Sequence, residues 1–382
     1  MKHSTDRILT THTGSLPRPD DLVGMLEGHD QREARADAGF QARVSGAVKE
    51  IVRKQVDAGI TVVNDGEMSK VGYSTYITDR VTGFSEQSRD FPLQVEVARF
   101  PEYYQQRPTG GSGVRRPVCV GPIEWTGDAQ VQTDIANFKA ALEGVQVAEA
   151  FMTAASPGVV WQFLLNDYYP THEAYVFAVA DAMRHEYEAI VNAGFVLQLD
   201  CPELAMGWNR FTFADATIDD FRKVADLHVS ALNHAIANIP ADRVRLHLCW
   251  GNYEGPHMRD IPLARIVDVV LKAKVGAVSF EGSNPRHAHE WKVWEGVKLP
   301  DGLILIPGVL DSTTNFVEHP ELVAERIVRY ANVVGRENVI AGTDCGFSTF
   351  ARSALTVHPT VTWAKFQAMA EGAEIASKQL WR

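Results

Sequence analysis

Positive charge is the scarcer sign in this chain. Against 48 Asp and Glu stand only 37 Lys and Arg over 382 residues, a net charge of −11. That balance excludes a nucleic-acid backbone as partner, because phosphate contacts need clustered Lys and Arg. No stretch of about 18 consecutive apolar residues occurs, so no membrane-spanning helix is expected. The opening segment M-K-H-S-T-D-R-I-L-T-T-H-T-G-S lacks the apolar core of an export signal, and a cytoplasmic location follows as the expectation. Cysteine is sparse, and the wide, irregular spacing of Cys119, Cys201, Cys249 and Cys345 excludes a small disulfide scaffold. Each cysteine taken alone reads as a core residue. Internal repeats and low-complexity tracts are also missing.

Hydrophobic residues make up 45% and charged residues 22%, the profile of a soluble globular protein. Short β-branched runs recur at 8–15, 60–67, 118–125, 149–156, 195–203, 244–252, 275–283, 303–311 and 338–346. Helical patterns lie between most of them, at 41–59, 173–194, 263–276 and 320–335, and each of these ends in a glycine suited to a helix C-terminus. Alternation of this kind implies a parallel sheet with helical crossovers. The expected fold class is α/β, a (β/α)8 TIM barrel forming one catalytic domain over 1–382. Residues 84–124, rich in Gln, Arg, Pro and Gly and containing P-T-G-G-S-G-V-R-R-P, read as an insertion after the second barrel strand, a hairpin arm carrying 118–124. An open doubly wound sheet is the competing architecture. No G-x-G-x-x-G follows the first strand, and eight or nine units are many for an open sheet.

A barrel of this type places its site at the C-terminal strand ends. Those ends carry His12, Gly14 and Ser15, then Asp65 and Glu67, Asp200 and Cys201, His247 and Cys249, Glu281, Asp311, and Asp344 with Cys345. Singly, each has an ordinary role: His12 and Asp65 as loop or helix caps, Glu281 as a solvated loop residue, His247 as a core histidine. Within R-L-H-L-C-W-G-N, His247 and Cys249 sit two positions apart and so share one face of a strand. Joined by Glu281 and Cys345 from neighbouring strand ends, they are four residues of zinc-ligand type, enough for a tetrahedral shell. Two sulfurs, one nitrogen and one oxygen suit zinc better than magnesium or calcium. Two thiolates and a carboxylate outweigh the charge of Zn²⁺, so the expected metal is a poor generator of hydroxide. It suits the activation of an incoming thiol, whose free pKa of about 8.5 falls on metal binding. The implied chemistry is attack by a substrate sulfur on an electrophilic carbon. Glu67 and Asp200 could pair with an amino group, while Ser15 and nearby amides could hold a carboxylate.

These segments, in order, resemble the catalytic C-terminal barrel of cobalamin-independent methionine synthase. H-T-G-S-L-P-R-P (12–19) is similar to that family's I-G-S-F-P, and V-N-D-G-E (63–67) to its H-G-E. V-L-Q-L-D-C-P-E-L (196–204) is similar to I-Q-I-D-E-P-A-L. H-L-C (247–249), F-E-G-S (280–283), P-G-V-L-D (307–311) and D-C-G (344–346) match the remaining strand ends. The resemblance implies zinc on His247, Cys249, Glu281 and Cys345. It also implies a thiol amino acid held near Gly14, Ser15, Glu67 and Asp200, with Asp200, Glu67 and Asp311 in the catalytic set. A methylated folate would then donate its methyl group to homocysteine.

Three departures bear on the reaction. Family members carry a second, N-terminal barrel, whereas this chain has the length of one. Cys201 replaces the glutamate of D-E-P. Thr313 replaces the histidine of P-G-V-x-D-x-H, which is implicated in proton delivery to the folate; His319 reads as helix-entry packing. A sister group, the single-barrel epoxyalkane:coenzyme M transferases, opens an epoxide with the same zinc–thiolate logic. A sulfonate thiol would need a cation, and Arg18, Arg210, Arg286 and Arg352 lie near the rim loops, although surface salt bridging is their plainer role. The aromatic W-Q-F-L-L-N-D-Y-Y-P (161–170) is either a stacking wall or core, as Trp161 and Phe163 allow both. Two further readings stay open: a metal-free barrel related to uroporphyrinogen decarboxylase, and a non-catalytic zinc or folate binder. The expected partners are a small-molecule thiol and an alkyl donor, with a homodimer the commonest assembly.

Overall fold

Strands form where the β-branched runs predict them. A computed structural model describes residues 1–28, 37–89, 95–106, 116–351 and 355–382. Its strands are β1 (Leu9–Thr10), β2 (Val62–Val63), β3 (Phe84–Ser88), β4 (Pro117–Cys119), β5 (Glu149–Ala155), β6 (Val196–Asp200), β7 (Val244–Leu248), β8 (Ala277–Phe280), β9 (Ile304–Leu310) and β10 (Ile340–Thr343). Eight of them run in the order β1-β10-β9-β8-β7-β6-β5-β2, and every pairing in that sheet is parallel. The two ends of this order meet through threonines: Thr61 N donates to Thr10 O (3.2 Å), Thr10 N to Thr61 Oγ1 (2.8 Å) and Thr11 Oγ1 to Val62 O (3.1 Å). The result is a nearly closed (β/α)8 barrel.

One of the nine runs, 118–125, lies outside the barrel. Its strand β4 pairs antiparallel with β3 in a separate two-stranded sheet. Most of P-T-G-G-S-G-V-R-R-P lies outside the described residues. The short helices Val95–Arg99 and Pro101–Gln106 dock on the loop after β7, where Tyr253 Oη donates to Glu96 Oε2 at 3.1 Å.

Helices pack outside the barrel by burying one stripe. In Ala38–Asp57 the buried positions Phe40, Val44, Ala47, Val48, Ile51 and Val52 recur at helical spacing, and the Asp37 side chain caps the N-terminus by accepting from Phe40 N. His172–Asn192 and Pro320–Val334 follow the expected patterns closely. The pattern at 263–276 does not become one helix. It yields a 3-10 turn at Leu263–Arg265 and the single-turn helix Val267–Val270, three of whose four residues are β-branched valines poorly suited to helix.

Alternation along the strands builds the interior in layers. Leu9, Val62, Phe151, Val196, Ala277, Ile304, Ile306 and Ile340 form an apolar cluster inside the barrel. Two residues further along, the inward positions turn polar: Thr153 after Phe151, Gln198 after Val196, Ser279 after Ala277. Arg245 closes the apolar layer, its guanidinium 3.4 Å from the Phe151 ring centroid. It donates to Gln198 Oε1 (2.8 Å), Thr11 Oγ1 (3.1 Å) and His12 O (2.7 Å). The next inward step gives Asp200, His247 and Glu281. The outward residues Leu197, Leu199, Leu246, Leu248, Val278 and Phe280 join the larger core beneath the helices.

Candidate metal and thiol site

Strand pleating aims His247 and Cys249 to the same side of β7, and Cys345 follows β10 directly. One ligand atom from each of these three residues lies within 4.8 Å of the other two, and the two Sγ atoms are 3.6 Å apart. His247 Nδ1 faces Ser279 Oγ at 3.4 Å, while its Nε2 is buried with no hydrogen-bond partner. A buried nitrogen without a partner is costly, so a ligand for it is the physical expectation. Burial, and then the charge of Arg245, lowers the His247 pKa to about 3, which leaves the imidazole neutral as a ligand must be. The neighbouring Cys345, followed by burial, pushes the Cys249 thiol well above its ordinary range. A cation at this point would reverse that effect. The residues present therefore fit a metal.

Glu281, the fourth expected ligand, does not join that group. Its Oε1 accepts from Trp250 N (2.7 Å), and its Oε2 accepts from Asn284 Nδ2 (2.7 Å) and Arg286 Nη2 (3.0 Å). It lines the same small cleft as Cys345, Asp311 and Thr313. Asp344 serves the backbone: it accepts from Gly282 N, Ser283 N, Asn284 N, Ser283 Oγ and Asn284 Nδ2, and so fixes the loop after β8. Cys201 points outward into the core, its Sγ against Leu199 O at 3.5 Å.

On the other side of the mouth, Gly14, Ser15, Glu67 and Asp200 converge. Gly14 has φ +138°, and a Cβ there would sit 2.5 Å from Thr153 Cγ2 and 3.2 Å from Glu67 Oε1, so only glycine fits. Ser15 packs against Gly346, where an added Cβ would lie 2.0 Å from Ser15 Oγ. Glu67 has φ +58°, an uncommon backbone state for a residue with a side chain. It is held there by Asp65 Oδ1 accepting from its N–H (3.0 Å) and by Arg18 Nη2 donating to its carbonyl (2.9 Å). Thr153 Oγ1 donates to Glu67 Oε1 at 2.8 Å, whereas Glu67 Oε2 is buried and unpartnered. Gln198 Nε2 donates to Asp200 Oδ1 at 2.7 Å. Burial, then the charge of Glu67, pushes the Asp200 pKa up to about 8. Two buried carboxyl side chains that influence each other and retain free acceptor capacity have the chemistry to pair with an ammonium group. His12 acts as the expected loop brace, with Nδ1 accepting from Gly14 N at 3.1 Å.

Asp311 Oδ1 accepts from Thr313 N (2.9 Å) and Thr313 Oγ1 (2.8 Å), so the residue standing in for a histidine braces the carboxylate. His319 caps Pro320–Val334. Arg18 and Arg210 are not surface salt-bridge residues; each is only 5% exposed. The two terminal nitrogens of Arg18 donate to Ser348 and to the Glu67 carbonyl, because a positive-φ turn needs its carbonyl satisfied. The Arg210 guanidinium lies over Trp161 (5.1 Å), and Arg286 bridges Asp260 (2.8 Å) and Glu281 (3.0 Å). Arg352 lies outside the described residues. Trp161 stacks on His172 (4.4 Å), away from Phe163, which packs with Tyr73 (5.9 Å) and Phe350 (6.4 Å).

Several residues at the mouth escaped sequence reasoning. Lys70 Nζ donates to Thr153 O (2.6 Å) and Oγ1 (3.2 Å), supporting Glu67 from behind. Tyr73 has its hydroxyl pKa raised by burial and then by Cys249 and Cys345. Glu203 is buried three residues past Asp200. Of these, only Glu203 left a signal, a second carboxylate within D-C-P-E.

Residues 8–366 match the family model of the cobalamin-independent synthase catalytic domain. A methionine synthase of Saccharolobus islandicus is 24% identical over 378 residues, spanning 98% of this chain and 96% of that protein. A methionine synthase of Sulfolobus acidocaldarius is 24% identical over 346 residues, 90% of this chain and 86% of the other. The single-barrel length is thus shared with proteins bearing that name. In fold, the chain is similar to a B12-independent methionine synthase from Shewanella sp. W3-18-1, with TM-score 0.72, 19% identity and coverage of 98% and 99%. Since the family match takes in nearly the whole barrel, the chain belongs to the cobalamin-independent methionine synthase family, by way of its catalytic domain.

Proposed function

We propose that this protein transfers a methyl or other alkyl group to a small thiol, in the manner of a methionine synthase, with zinc held by His247, Cys249 and Cys345 and with Glu281 available as the fourth ligand. The observation that carries this reading is the convergence of three ligand atoms within 4.8 Å around a buried, unpartnered His247 Nε2. Two sulfurs and one nitrogen favour zinc over the hard cations. Zinc, when bound, lowers the pKa of a ligating substrate thiol so that its sulfur is nucleophilic at neutral pH.

The chain's own residues supply the rest. Glu67 and Asp200 hold the substrate ammonium, and Ser15 with the turn at Gly14 receives its carboxylate, which fits an amino acid thiol such as homocysteine. The electrophilic carbon arrives from the open side, against the rings of Tyr73, Phe163 and Phe350. Asp311, fixed by Thr313 and Thr314, bounds the cleft beside Cys345. The whole chain acts as one catalytic domain, with 84–124 as an excursion beside the β7 loop, working on small molecules in the cytoplasm.

Cobalt-substituted protein titrated with homocysteine, coenzyme M and glutathione in parallel tests the reading. A visible-spectrum change with homocysteine alone is expected. A change with coenzyme M alone would transfer the assignment to epoxide opening, and no change with any thiol would end it.

A further inference from the structure

Glu203 lies in the 3-10 turn Pro202–Leu204 that follows β6, and it is 2% exposed. The turn is pinned to the metal-bearing strand: Cys201 N donates to His247 O (2.8 Å) and Met206 N to Cys249 O (3.3 Å). Ser156 Oγ accepts from Val159 N (3.0 Å) and spends its own proton on Glu203 Oε1 (2.8 Å). Gly158 lets the carboxyl approach the backbone, since a Cβ there would lie 2.5 Å from Oε1. The other oxygen, Oε2, is buried and has no partner. Burial first, with Asp200 adding to it, pushes the pKa up to about 8, so the carboxyl carries a proton at neutral pH. Oε1 is already an acceptor, so the proton resides on Oε2, where nothing in the described protein takes it. In the resembling pattern I-Q-I-D-E-P-A-L the second acid stands where this chain has Cys201, and alanine stands at position 203. Here the acid stands two places further on, where Ser156 holds its carboxyl. Thr313, for its part, directs its hydroxyl to Asp311 and offers no titratable group.

From a buried carboxyl whose serine-held Oε1 leaves Oε2 unpartnered, in a turn docked on the metal strand, we propose that Glu203 protonates the atom that gives up the alkyl group. This rests on the thiol-alkylation reading above and narrows its donor. The donor is an alkylated nitrogen or oxygen, such as an N-methyl group on a reduced heterocycle, because sulfonium sulfur departs without needing a proton. The thiol sulfur forms its bond to the carbon as the carbon–nitrogen bond breaks. The electron pair stays on nitrogen, which takes the Oε2 proton. The carboxylate is then reprotonated from solvent, matching the proton the thiol released.

The test uses the zinc enzyme with homocysteine and either 5-methyltetrahydrofolate or S-methylmethionine. Asp200, Tyr73, Cys201 and Tyr187 are the titratable groups facing Glu203. With the folate, wild-type kcat should be high at low pH and fall as pH rises through about 8, where the acid form is lost. Glu203→Gln should keep its zinc and its thiol-induced cobalt spectrum, lose about a hundredfold or more in kcat, and lose that limb of the profile. Ser156→Ala, which removes a hydrogen bond favouring the carboxylate, should move the limb to higher pH even if Glu203→Gln does not fold. Near-wild-type folate turnover in Glu203→Gln, or an unmoved limb in Ser156→Ala, would overturn the assignment. So would wild-type turnover with the sulfonium alone, which leaves thiol alkylation standing. No thiol-induced spectral change in wild type would remove the underlying reading instead.

Discussion

Cys249→Ser and Cys345→Ser are each expected to lose zinc and turnover together. Three ligand atoms converge here, and each change removes one of two sulfurs from a set only 4.8 Å across. A serine hydroxyl replaces a soft anionic ligand with a hard, neutral one that zinc ranks poorly. Loss of groups that merely orient metal ligands costs about 10–100-fold in affinity or activity, so loss of a ligand should exceed about a hundredfold. Cys201→Ser is the control, because its Sγ faces the core and contacts Leu199 O. Metal content by mass spectrometry and the thiol-alkylation rate, measured on the same samples, give the answer. Full zinc retention in either variant would defeat the ligand assignment.

Arg80→Met should be the most destabilising single change away from the metal, by about 3–5 kcal/mol. The Arg80 side chain is 2% exposed and meets Glu186 Oε1 at 2.6 Å and Asp134 Oδ2 in a second short contact. Tyr76 Oη also donates to Glu186 Oε1 (3.0 Å), and the guanidinium lies 4.7 Å from the Tyr76 ring centroid. Removal of the cation leaves two carboxylates buried without a counter-charge. Urea unfolding at pH 7 measures the loss, and replacing Asp134 and Glu186 by leucine in the same variant should recover much of it. A deficit under about 1 kcal/mol would show that this cluster is weakly coupled to folding. The cluster also bears on the site: Tyr76 Oη accepts from Ala155 N (3.2 Å), and Lys70, the brace behind Glu67, lies 4.3 Å from the Tyr76 ring centroid.

The barrel was legible because period-2 and helical patterns alternate cleanly. His247, Cys249 and Cys345 were legible because pleating and strand ends alone bring them together. Glu281 was only half legible. Its strand end is where the pattern puts it, but Trp250, Asn284 and Arg286 compete for its oxygens, and contacts between loops leave no trace in local sequence. Arg18 and Arg210 were misread as surface residues for a related reason, and Arg245 drew no reading at all. Charge predicts exposure on average, and only the three-dimensional arrangement shows that Arg18 satisfies the carbonyl of Glu67 and that Arg245 closes the barrel's apolar floor. Tyr73 and Lys70 come from a loop whose composition says nothing about which way it folds.

The threonine-closed seam has a mechanical consequence. β1 and β2 are two residues long, and hydrogen bonds involving the side chains of Thr10, Thr11 and Thr61 help join them, whereas β6, β7 and β8 share continuous ladders. The barrel is therefore a split ring, stiff on the side that bears His247 and Cys249 and compliant on the side that bears Gly14, Ser15 and Glu67. Local opening should begin at the seam, so amide protons of residues 9–11 and 61–63 should exchange with solvent before those of 196–200 and 244–248. Such a ring can loosen around Gly14, Ser15 and Glu67 while His247 and Cys249 keep their places.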